Sequence, residues 1–579
     1  MKLIDALELV RAQLPENALP LKVFLACGFT PLHLQTFLIA ELRRLFPNHR
    51  IEIETGLFGD LAGNLERLNP TEFDIAAVAI EWEDLDSRLG IRRLGGWRPT
   101  DLPDIIGSAN KQGARLAQDL KQISRSVLTC VCMPTLPLPP IFFTRRLQNI
   151  SCELELFQIV ASLGVSISNE PSIRIVGVQR LNELSPLSDR LDVKTDIMAG
   201  FPYSLNHASI IAELLAALIQ NPNPKKGLIT DLDDTLWSGI LGEVGVDGIS
   251  WHMDQNSHMH GLYQQLLASL AGAGVLIAIA SKNDPTLVDQ AFERKDLLLP
   301  RDGVFPFEIH WTRKSESVRR ILQTWNVGPD AVVFVDDSPM EVAEVKTAFS
   351  DMECIVFPKN DYLAIWKLFQ HLRDLFGKDT ISQEDQIRLQ SIRNASVLRG
   401  ALEITGSSLD DFLQSAEASV LFTFGTRPKE ARALELINKT NQFNLNGKRF
   451  SESDWTNVMN DPGRFLVTVT YEDKYGPLGK VAVILGKSDG RKVFVESFVM
   501  SCRAFSRRIE YQCLKYLFQK FGVEEIVFNY APTARNGPIQ DFFLQLLESA
   551  PGSDLRLVKT RFLGKVPSLF HRVEEKASE

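Results

Sequence analysis

Residues 228–236 read LITDLDDTL, a short apolar run that leads directly into Asp231, Asp233 and Asp234. Side chains two positions apart on an extended chain point to the same side, so Asp231 and Asp233 are predicted to face one site. An apolar run of this length is typical of a buried strand in a parallel sheet. Ligands bind at the carboxyl ends of such strands, so the stretch predicts an α/β domain with an acidic site.

Three further polar elements follow this stretch in order along the chain. The apolar run 275–280 ends at Ser281, the run 331–335 ends at Asp336, and Lys314 opens the helix predicted between them. Because parallel strands end at the same edge of a sheet, we expect these side chains to meet there.

This set of residues is suited to phosphoryl transfer through a carboxylate nucleophile. We expect Asp231 to attack the phosphate, and Asp233 to give a proton to the leaving oxygen and then take one from water. A divalent cation must offset the charge repulsion, and Asp231 and Asp336 are predicted to bind Mg²⁺. Ser281 and Lys314 are predicted to hold the phosphoryl oxygens.

The four elements match, in order, the four motifs of the haloacid dehalogenase (HAD) superfamily, which residues 225–378 resemble. The flanking segments 237–243 (WSGILGE), 281–284 (SKND) and 336–341 (DDSPME) are similar to those of its FkbH-like branch. The resemblance implies the following site residues: catalytic Asp231 and Asp233; substrate-binding Thr235, Ser281, Lys282, Asn283 and Lys314; metal-binding Asp231, Asp233, Asp336 and Asp337; and Trp237 as a contact of a carrier arm.

The resemblance also implies a biosynthetic role in polyketide-like pathways. A protein of this branch is expected to dephosphorylate 1,3-bisphosphoglycerate, a phosphorylated three-carbon molecule, and to load the glyceryl unit onto an acyl carrier protein. Two alternatives remain open from the sequence. The chain could be a stand-alone Mg²⁺-dependent small-molecule phosphatase, or a noncatalytic scaffold of a biosynthetic complex.

Residues 1–220 alternate predicted strands and helices and resemble a degenerate SGNH hydrolase, a three-layer α/β/α fold. Cys27 follows the first predicted strand, where an SGNH hydrolase has its serine, and His207 is its candidate partner. No Gly-Asp-Ser box is present, and no Asp stands three residues before His207. A noncatalytic docking domain is therefore the favoured interpretation.

Residues 380–579 resemble the carboxyl-terminal region of FkbH-like proteins, which is similar to the α+β fold of GNAT acyltransferases. The segments 439–445 (KTNQFNL), 501–503 (SCR) and 532–536 (PTARN) carry this resemblance. Cys502 is the candidate thiolate of a thioester relay, since Arg503 would lower the pKa of its thiol. Arg503 and Arg507 are candidate contacts for the phosphate of a carrier arm.

Composition is consistent with three folded domains in 579 residues, because 45% are hydrophobic and 23% are charged. The net charge of −9 argues against nucleic acid as a partner, and seven scattered cysteines favour a reducing cytoplasm. No export signal is predicted. The uncharged stretch 262–281 contains Gly-Ala-Gly and is predicted to be a helix, a turn and a strand, so no membrane span is expected.

Overall fold

The structure is a computed structural model of the full chain. It describes residues 1–13, 15, 18–94, 98–140, 145, 147–378, 381–382, 385, 387–393, 409–425, 431–461, 463–474, 476–501, 504–505, 507–533, 535–547 and 554–577. The chain divides into two compact units. One comprises Met1–Pro222 with Ser451–Asp454, and the other comprises Asn223–Phe450 with Trp455–Glu579.

The first unit contains a parallel five-stranded sheet of order β2-β1-β3-β4-β5. Its buried strands carry apolar side chains on both faces, as helices on both sides of a parallel sheet require. The strands are β1 Leu19–Cys27, β2 His49–Thr55, β3 Ile75–Ala79, β4 Leu128–Cys132 and β5 Ile173–Ile175. The helices are α1 Leu3–Arg11, α2 Leu32–Leu45, α3 Leu61–Arg67, α4 Trp82–Leu85, α5 Leu102–Ser124, α6 Ser151–Ser168, α7 Val178–Leu184, α8 Val193–Ala199 and α9 Leu205–Gln220.

The second unit begins with another parallel five-stranded sheet, of order β10-β9-β6-β7-β8. Its strands are β6 Gly227–Thr230, β7 Leu276–Ser281, β8 Val304–Ile309, β9 Val332–Asp336 and β10 Glu353–Val356. Its helices are α10 Leu241–Val244, α11 His258–Gly272, α12 Pro285–Phe292, α13 Lys314–Trp325, α14 Pro339–Ala348 and α15 Tyr362–Phe376. The uncharged stretch 262–281 is divided between α11 and β7.

Alternating side chains of β6 explain why this strand lies at the centre of the sheet. Leu228 packs into the core on one face and Ile229 into the core on the other, and both are fully buried. Because β6 is flanked by β7 and β9, the residues that follow these three strands share one edge of the sheet. The sequence prediction of a parallel α/β sheet around residues 228–236 is confirmed.

A third sheet completes the second unit and mixes parallel and antiparallel strands. Its order is β17-β16-β15-β14-β13-β11-β18, and β12 pairs with β15. The strands are β11 Ser419–Gly425, β12 Phe443–Asn444, β13 Arg464–Asp473, β14 Gly476–Ser488, β15 Lys492–Met500, β16 Glu525–Asn529, β17 Asp554–Val558 and β18 Arg572–Ala577. The helices are α16 Leu409–Ser415, α17 Ala431–Lys439, α18 Glu452–Met459, α19 Ile509–Phe521, α20 Gly537–Leu547 and α21 Lys559–Lys565.

One described helix, α6, is long and apolar enough to cross a membrane by length and composition alone. Its 18 residues have a mean hydropathy of 1.2. Cys152, Leu156, Ile159, Leu163 and Ile167 of this helix pack into the core of the first unit.

Candidate active site

Asp231 and Asp336 meet at the carboxyl edge of the second sheet because β6 and β9 are parallel neighbours. Thr230 pairs with Val335, and the N–H of Asp231 donates to the carbonyl oxygen of Val335 at 3.0 Å. Ser281 ends β7 on the other side of β6. The structure therefore brings these three predicted site residues to one edge, as the strand order requires.

The Lys314 ammonium lies among the carboxylates of this edge. Its Nζ is 2.6 Å from Asp231 Oδ1, 2.9 Å from Asp336 Oδ2 and 3.2 Å from Glu341 Oε2. It also donates to the carbonyl oxygen of Ala280 at 2.8 Å. Lys314 is only 2% exposed, so its charge is compensated by these neighbours rather than by water.

The protonation of these groups follows from their mutual contacts. Burial opposes the charged form of Lys314, but Asp231, Asp336 and Glu341 outweigh it and raise the pKa of the lysine. Burial and the negative charge of Asp231 raise the pKa of Asp336, and Lys314 acts in the opposite direction. The lysine is thus held as a cation inside an acidic cluster.

Three carboxylates could hold a metal ion together. Ligand oxygens of Asp231, Asp336 and Glu341 all lie within 4.8 Å of one another. Asp231 Oδ1 is buried, and Lys314 Nζ lies 2.6 Å from it. Buried carboxylate oxygens of this kind are the donors that a hard divalent cation prefers, so the residues present fit such an ion.

Glu341 ends the 336–341 segment that carries the family resemblance, but no role in the site is predicted for it from the sequence. It lies in the first turn of α14, whose N-cap Ser338 accepts from the N–H of Glu341 at 3.4 Å. This cap fixes the first turn directly after the end of β9. The signal available in the sequence was an acidic residue in the first helical turn after the strand that ends at Asp336, behind a serine cap and a proline.

Asp233 faces the loop that follows β6 and lies outside the three-carboxylate group. Its Oδ1 accepts from Trp237 Nε1 at 2.9 Å and from the N–H of Leu241 at 3.1 Å. Its Oδ2 accepts from Asn283 Nδ2 at 2.9 Å. Burial, with a contribution from Asp231, raises the pKa of Asp233, while these hydrogen bonds oppose the shift.

Asp337, a predicted metal ligand, faces Lys359 instead of the three-carboxylate group. Lys359 Nζ lies 2.7 Å from Asp234 Oδ2 and 2.8 Å from Asp337 Oδ2. The N–H of Asp337 donates to Thr235 Oγ1 at 3.1 Å, and the Thr235 carbonyl accepts from His260 Nδ1 at 2.9 Å. Thr235 is fully buried, and these two hydrogen bonds connect the loop after β6 to the end of β9 and to α11.

Lys359 was also not singled out from the sequence. It stands between β10 and α15, at the same edge of the sheet. No local pattern marks it, because its two partners are 125 and 22 residues away in the chain.

The segment after β7 contacts both sides of the site. Lys282 Nζ lies 2.7 Å from Glu341 Oε1, and Asn283 Nδ2 donates to Asp233 Oδ2. Asp284 then caps α12 by accepting from the N–H groups of Thr286 and Leu287. Ser281, Lys282 and Asn283 are thus placed at the site by one strand end and one helix cap.

The residues predicted to contact a carrier arm are placed differently. Trp237 is fully buried in the core, and its indole N–H binds Asp233, so an external arm cannot reach this ring. Arg507 is 6% exposed and lies over the Tyr471 ring, with its Nε 3.5 Å from Asp473 Oδ2. Cys502 and Arg503 lie outside the described residues.

Cys27 and His207 do not form a catalytic pair. The Cys27 thiol is buried and donates to the Phe29 carbonyl at 3.2 Å, and burial together with Asp84 raises its pKa to about 12. His207 is bound on both ring nitrogens, by Thr135 Oγ1 and by Ser185 Oγ, each at 2.9 Å. A buried neutral thiol that is hydrogen-bonded to a carbonyl, and an imidazole with both nitrogens bound by hydroxyl groups, do not supply an activated nucleophile and its base.

Comparison with known proteins supports a mixed α/β fold for this chain. No protein-family model and no curated protein matches the chain. A solved structure, the N-terminal part of the protein BF1531 from Bacteroides fragilis, containing a phosphatase domain complexed with Mg, matches with a TM-score of 0.52 and 20% identity. The match covers 66% of this chain and 100% of that one.

Two other matches are too dissimilar to support an argument. An α-glucosyltransferase in complex with UDP and a 13-mer DNA has 8% identity and a TM-score of 0.14, over 68% of this chain and 100% of its own. UGT71G1 of Medicago truncatula, complexed with UDP-glucose, has 11% identity and a TM-score of 0.14, over 67% and 95%.

The likeness to the BF1531 structure shows a shared α/β fold, and the assignment of residues 225–378 to the HAD superfamily stays a prediction from the sequence motifs. The FkbH-like branch, the SGNH-like and GNAT-like assignments and the division into three domains stay predictions from the sequence.

Proposed function

We propose that this protein is a Mg²⁺-dependent phosphatase of HAD type whose nucleophile is Asp231. The observation that carries the proposal is the contact of Lys314 Nζ with Asp231, Asp336 and Glu341 at 2.6, 2.9 and 3.2 Å. A buried carboxylate beside further carboxylates and one ammonium is suited to a phosphoryl group whose charge is shared by a metal ion and a lysine.

Asp231, Asp336 and Glu341 would hold the Mg²⁺, since their oxygens lie within 4.8 Å of one another. Mg²⁺ is supported by the carboxylate donor set and by the Mg-bound phosphatase domain to which the fold is similar. When bound, the ion would neutralise part of the charge on the phosphoryl oxygens.

In the proposed reaction, a carboxylate oxygen of Asp231 attacks phosphorus and the bond to the leaving oxygen breaks. Asp233 gives its proton to that leaving oxygen, exchanging its hydrogen bond with Asn283 for this contact. Asp233 then takes a proton from water, which attacks the aspartyl phosphate. Inorganic phosphate is released and the Asp231 carboxylate is restored.

Two lysines at the site would bind the oxygens of the phosphoryl group. Lys314 faces the attacking carboxylate and would hold a phosphoryl oxygen. Lys282, paired with Glu341, is the next cation at the site and would bind the outer phosphoryl oxygens. Lys282 is partly exposed, so its side chain can leave Glu341 and turn toward substrate at little cost in free energy, because an ion pair near solvent is weak.

The experiment compares phosphate release from p-nitrophenyl phosphate and 1,3-bisphosphoglycerate in Mg²⁺ by the full chain and by Asp231→Asn. We expect the variant to lose more than about 100-fold in rate. The matched control is Asp254→Asn, at an exposed aspartate outside the site, which should not change the rate. Equal rates for wild type and Asp231→Asn would contradict the proposal, and phosphate release at the background rate by both would favour the noncatalytic scaffold.

We further propose that the physiological reaction loads a glyceryl unit onto an acyl carrier protein. The support is the likeness of 237–243, 281–284 and 336–341 to the FkbH-like branch. The test is to incubate the protein with 1,3-bisphosphoglycerate, Mg²⁺ and a holo carrier protein and to measure the mass of the carrier. Release of phosphate without a mass increase on the carrier would leave the stand-alone phosphatase.

A further inference from the structure

Three segments that were singled out in the carboxyl-terminal region come together in space. Residues from 439–445, 501–503 and 532–536 line one cleft of about 380 Å³, which we call the distal cleft. From these segments Lys439, Gln442, Ser501 and Arg535 line it, and Trp325 of α13 lines it as well. The proposed phosphatase reaction uses none of these residues.

Two fully buried asparagines hold the walls of the distal cleft. Asn536 Nδ2 donates to the carbonyl of Asn444 at 2.9 Å, and its Oδ1 accepts from the N–H of Thr533 at 2.8 Å. Asn444 lies in β12, which pairs with β15 directly before Ser501. These contacts therefore hold the described residues of the three segments together.

The distal cleft and the aspartate site lie at opposite ends of the parallel sheet. Lys226, which lines the cleft, directly precedes β6, whereas Asp231 directly follows it. Five residues of extended chain separate them by roughly 16 Å. The cleft is consequently a second site and not an extension of the first.

The charge that lines the distal cleft is positive. Among its described lining residues, five lysine or arginine side chains face three aspartate or glutamate side chains. Arg535 forms an ion pair with Asp330 at 3.1 Å, and its side chain is 64% exposed. Lys439 pairs with Glu435 at 2.9 Å and is 44% exposed. Such exposed pairs are weak, so an anion can recruit both cations.

The remaining lining residues indicate the rest of the ligand. Gln442 Oε1 is a buried acceptor without a hydrogen bond in the described part of the structure, so it calls for an N–H or O–H donor. Apolar side chains of Leu276, Trp325, Leu436 and Met500 form much of the wall. A bare anion would leave this acceptor and these apolar surfaces unused.

We infer that the distal cleft binds an organic phosphate, with the phosphate at Arg535 and Lys439 and a donor-bearing carbon chain against Gln442 and the apolar wall. Arginine and lysine are the usual phosphate contacts, and a cleft of this size accommodates a small molecule. Two sources offer this chemistry: a free three-carbon phosphate and a phosphopantetheine arm.

The experiment is calorimetric titration of the full chain, without Mg²⁺, with inorganic phosphate, 3-phosphoglycerate and pantetheine 4′-phosphate. Without the metal, the three carboxylates around Lys314 disfavour anion binding at the aspartate site. We expect at least one organic phosphate to bind more tightly than inorganic phosphate. Whichever of 3-phosphoglycerate and pantetheine 4′-phosphate binds more tightly identifies the source. Arg535→Gln and Lys439→Gln should each weaken that binding roughly tenfold.

Two controls separate this inference from the proposed phosphatase. Arg491→Gln removes an exposed arginine from the β14–β15 turn and should leave binding unchanged. Gln442→Leu should weaken the organic phosphate but not inorganic phosphate. Hydrolysis of p-nitrophenyl phosphate should be unchanged in Arg535→Gln, whatever Asp231→Asn does.

The inference is overturned if no organic phosphate binds below about 1 mM. It is equally overturned if Arg535→Gln and Arg491→Gln weaken binding to the same extent. The loss of a positive charge would then weaken binding whether or not the arginine lines the cleft. Binding of inorganic phosphate as tight as that of both organic phosphates would also contradict it.

Discussion

At the scale of single residues, Lys314 has a structural role as well as its proposed chemical one. Its ammonium is the shared partner of Asp231, Asp336 and Glu341, and both Lys314 and Asp336 are almost completely buried. Removing one member of a buried charge cluster leaves the others uncompensated.

We therefore predict that Lys314→Met lowers the free energy of unfolding by about 3 kcal/mol in the absence of divalent cations. Urea denaturation in EDTA measures this loss. Lys282→Met, at a lysine whose side chain is 33% exposed, is the matched control and should cost less than about 1 kcal/mol. Equal stability of Lys314→Met and wild type would show that the cluster does not depend on the ammonium.

Glu341 gives a second prediction at this scale. As one of three carboxylates within ligand distance of each other, it should contribute to the affinity for Mg²⁺. Glu341→Gln is expected to raise the Mg²⁺ concentration for half-maximal phosphate release by roughly tenfold or more. Glu316→Gln, at an exposed position in the first turn of α13, is the control. An unchanged Mg²⁺ requirement would remove Glu341 from the metal site.

His207 gives a pH prediction for the first unit. Thr135 Oγ1 donates to Glu81, so it accepts from His207 Nε2, and Nδ1 accepts from Ser185. Burial, with the nearby Arg190, lowers the pKa of His207 to about 3. The unfolded chain then binds a proton that the folded unit does not, and stability is lost as the pH falls below about 6.5.

Between pH 7 and pH 5, His207 should account for a loss of about 2 kcal/mol in the free energy of unfolding. Hydrogen exchange of α9 measures this loss in wild type and in His207→Gln. The other charged groups nearby, Glu81 and Arg190, are present in both proteins. The difference in pH dependence between wild type and His207→Gln is therefore the contribution of the histidine. Parallel pH curves for the two would contradict the assignment, and His33→Gln serves as a control substitution.

At the scale of elements, the approach of α13 to β6 depends on Gly227. A Cβ at this position would lie 2.4 Å from Trp325 Cζ3, and Trp325 Nε1 is held by the carbonyl of Phe305 at 2.7 Å. The first residue of β6 must therefore lack a side chain, because the indole at the end of α13 lies against it. Lys314 opens the same helix, so this contact also fixes the position of the lysine.

We predict that Gly227→Ala lowers the free energy of unfolding of the second unit by about 1–3 kcal/mol, since the packed indole must move. Thermal or urea unfolding measures the change. Gly242→Ala on α10 is the matched control, because a Cβ there meets nothing within 4 Å. That substitution should be neutral or slightly stabilising. Equal costs at both glycines would contradict the packing argument.

At the scale of the whole molecule, the two compact units carry different chemistry. The carboxylates that could hold a metal belong to the second unit, and the described residues of the first unit contain no comparable group. A ligand that binds only the folded form of one unit stabilises that unit by mass action.

Mg²⁺ at about 100 times its dissociation constant should therefore stabilise the second unit by about 2.7 kcal/mol. Hydrogen exchange in β6 and β9 should slow accordingly, and exchange in β1 and β3 should not. EDTA reverses the effect, and Asp336→Asn should abolish it. Equal protection of both units, or of neither, would contradict a metal site confined to the second.

Much of the site could be predicted from the sequence because its residues follow strands. An apolar run that ends in Asp231, Ser281 or Asp336 predicts both a buried strand and a polar group at its carboxyl end. Parallel strands bring such ends to one edge, whatever the details of packing. The observed strand order β10-β9-β6-β7-β8 agrees with that prediction.

The sequence could not show which neighbouring carboxylate would turn toward the metal site. Asp336 and Asp337 are adjacent, but the β9 end directs Asp336 to Lys314, while Asp337 is paired with Lys359. Trp237 stands among the motif residues, yet its large apolar ring is buried in the core. Side-chain direction depends on contacts between residues far apart in the chain, and local patterns do not contain this information.

By itself, the sequence determined the α/β class, the edge of the sheet that carries the chemistry and the aspartates that start it, because these follow from local periodicity and strand ends. Only the tertiary structure decided that Glu341 lies beside them, that Cys27 and His207 are hydrogen-bonded to other groups, and that residues of three distant segments line the distal cleft. These outcomes depend on burial and long-range pairing, which exist only after the chain has folded.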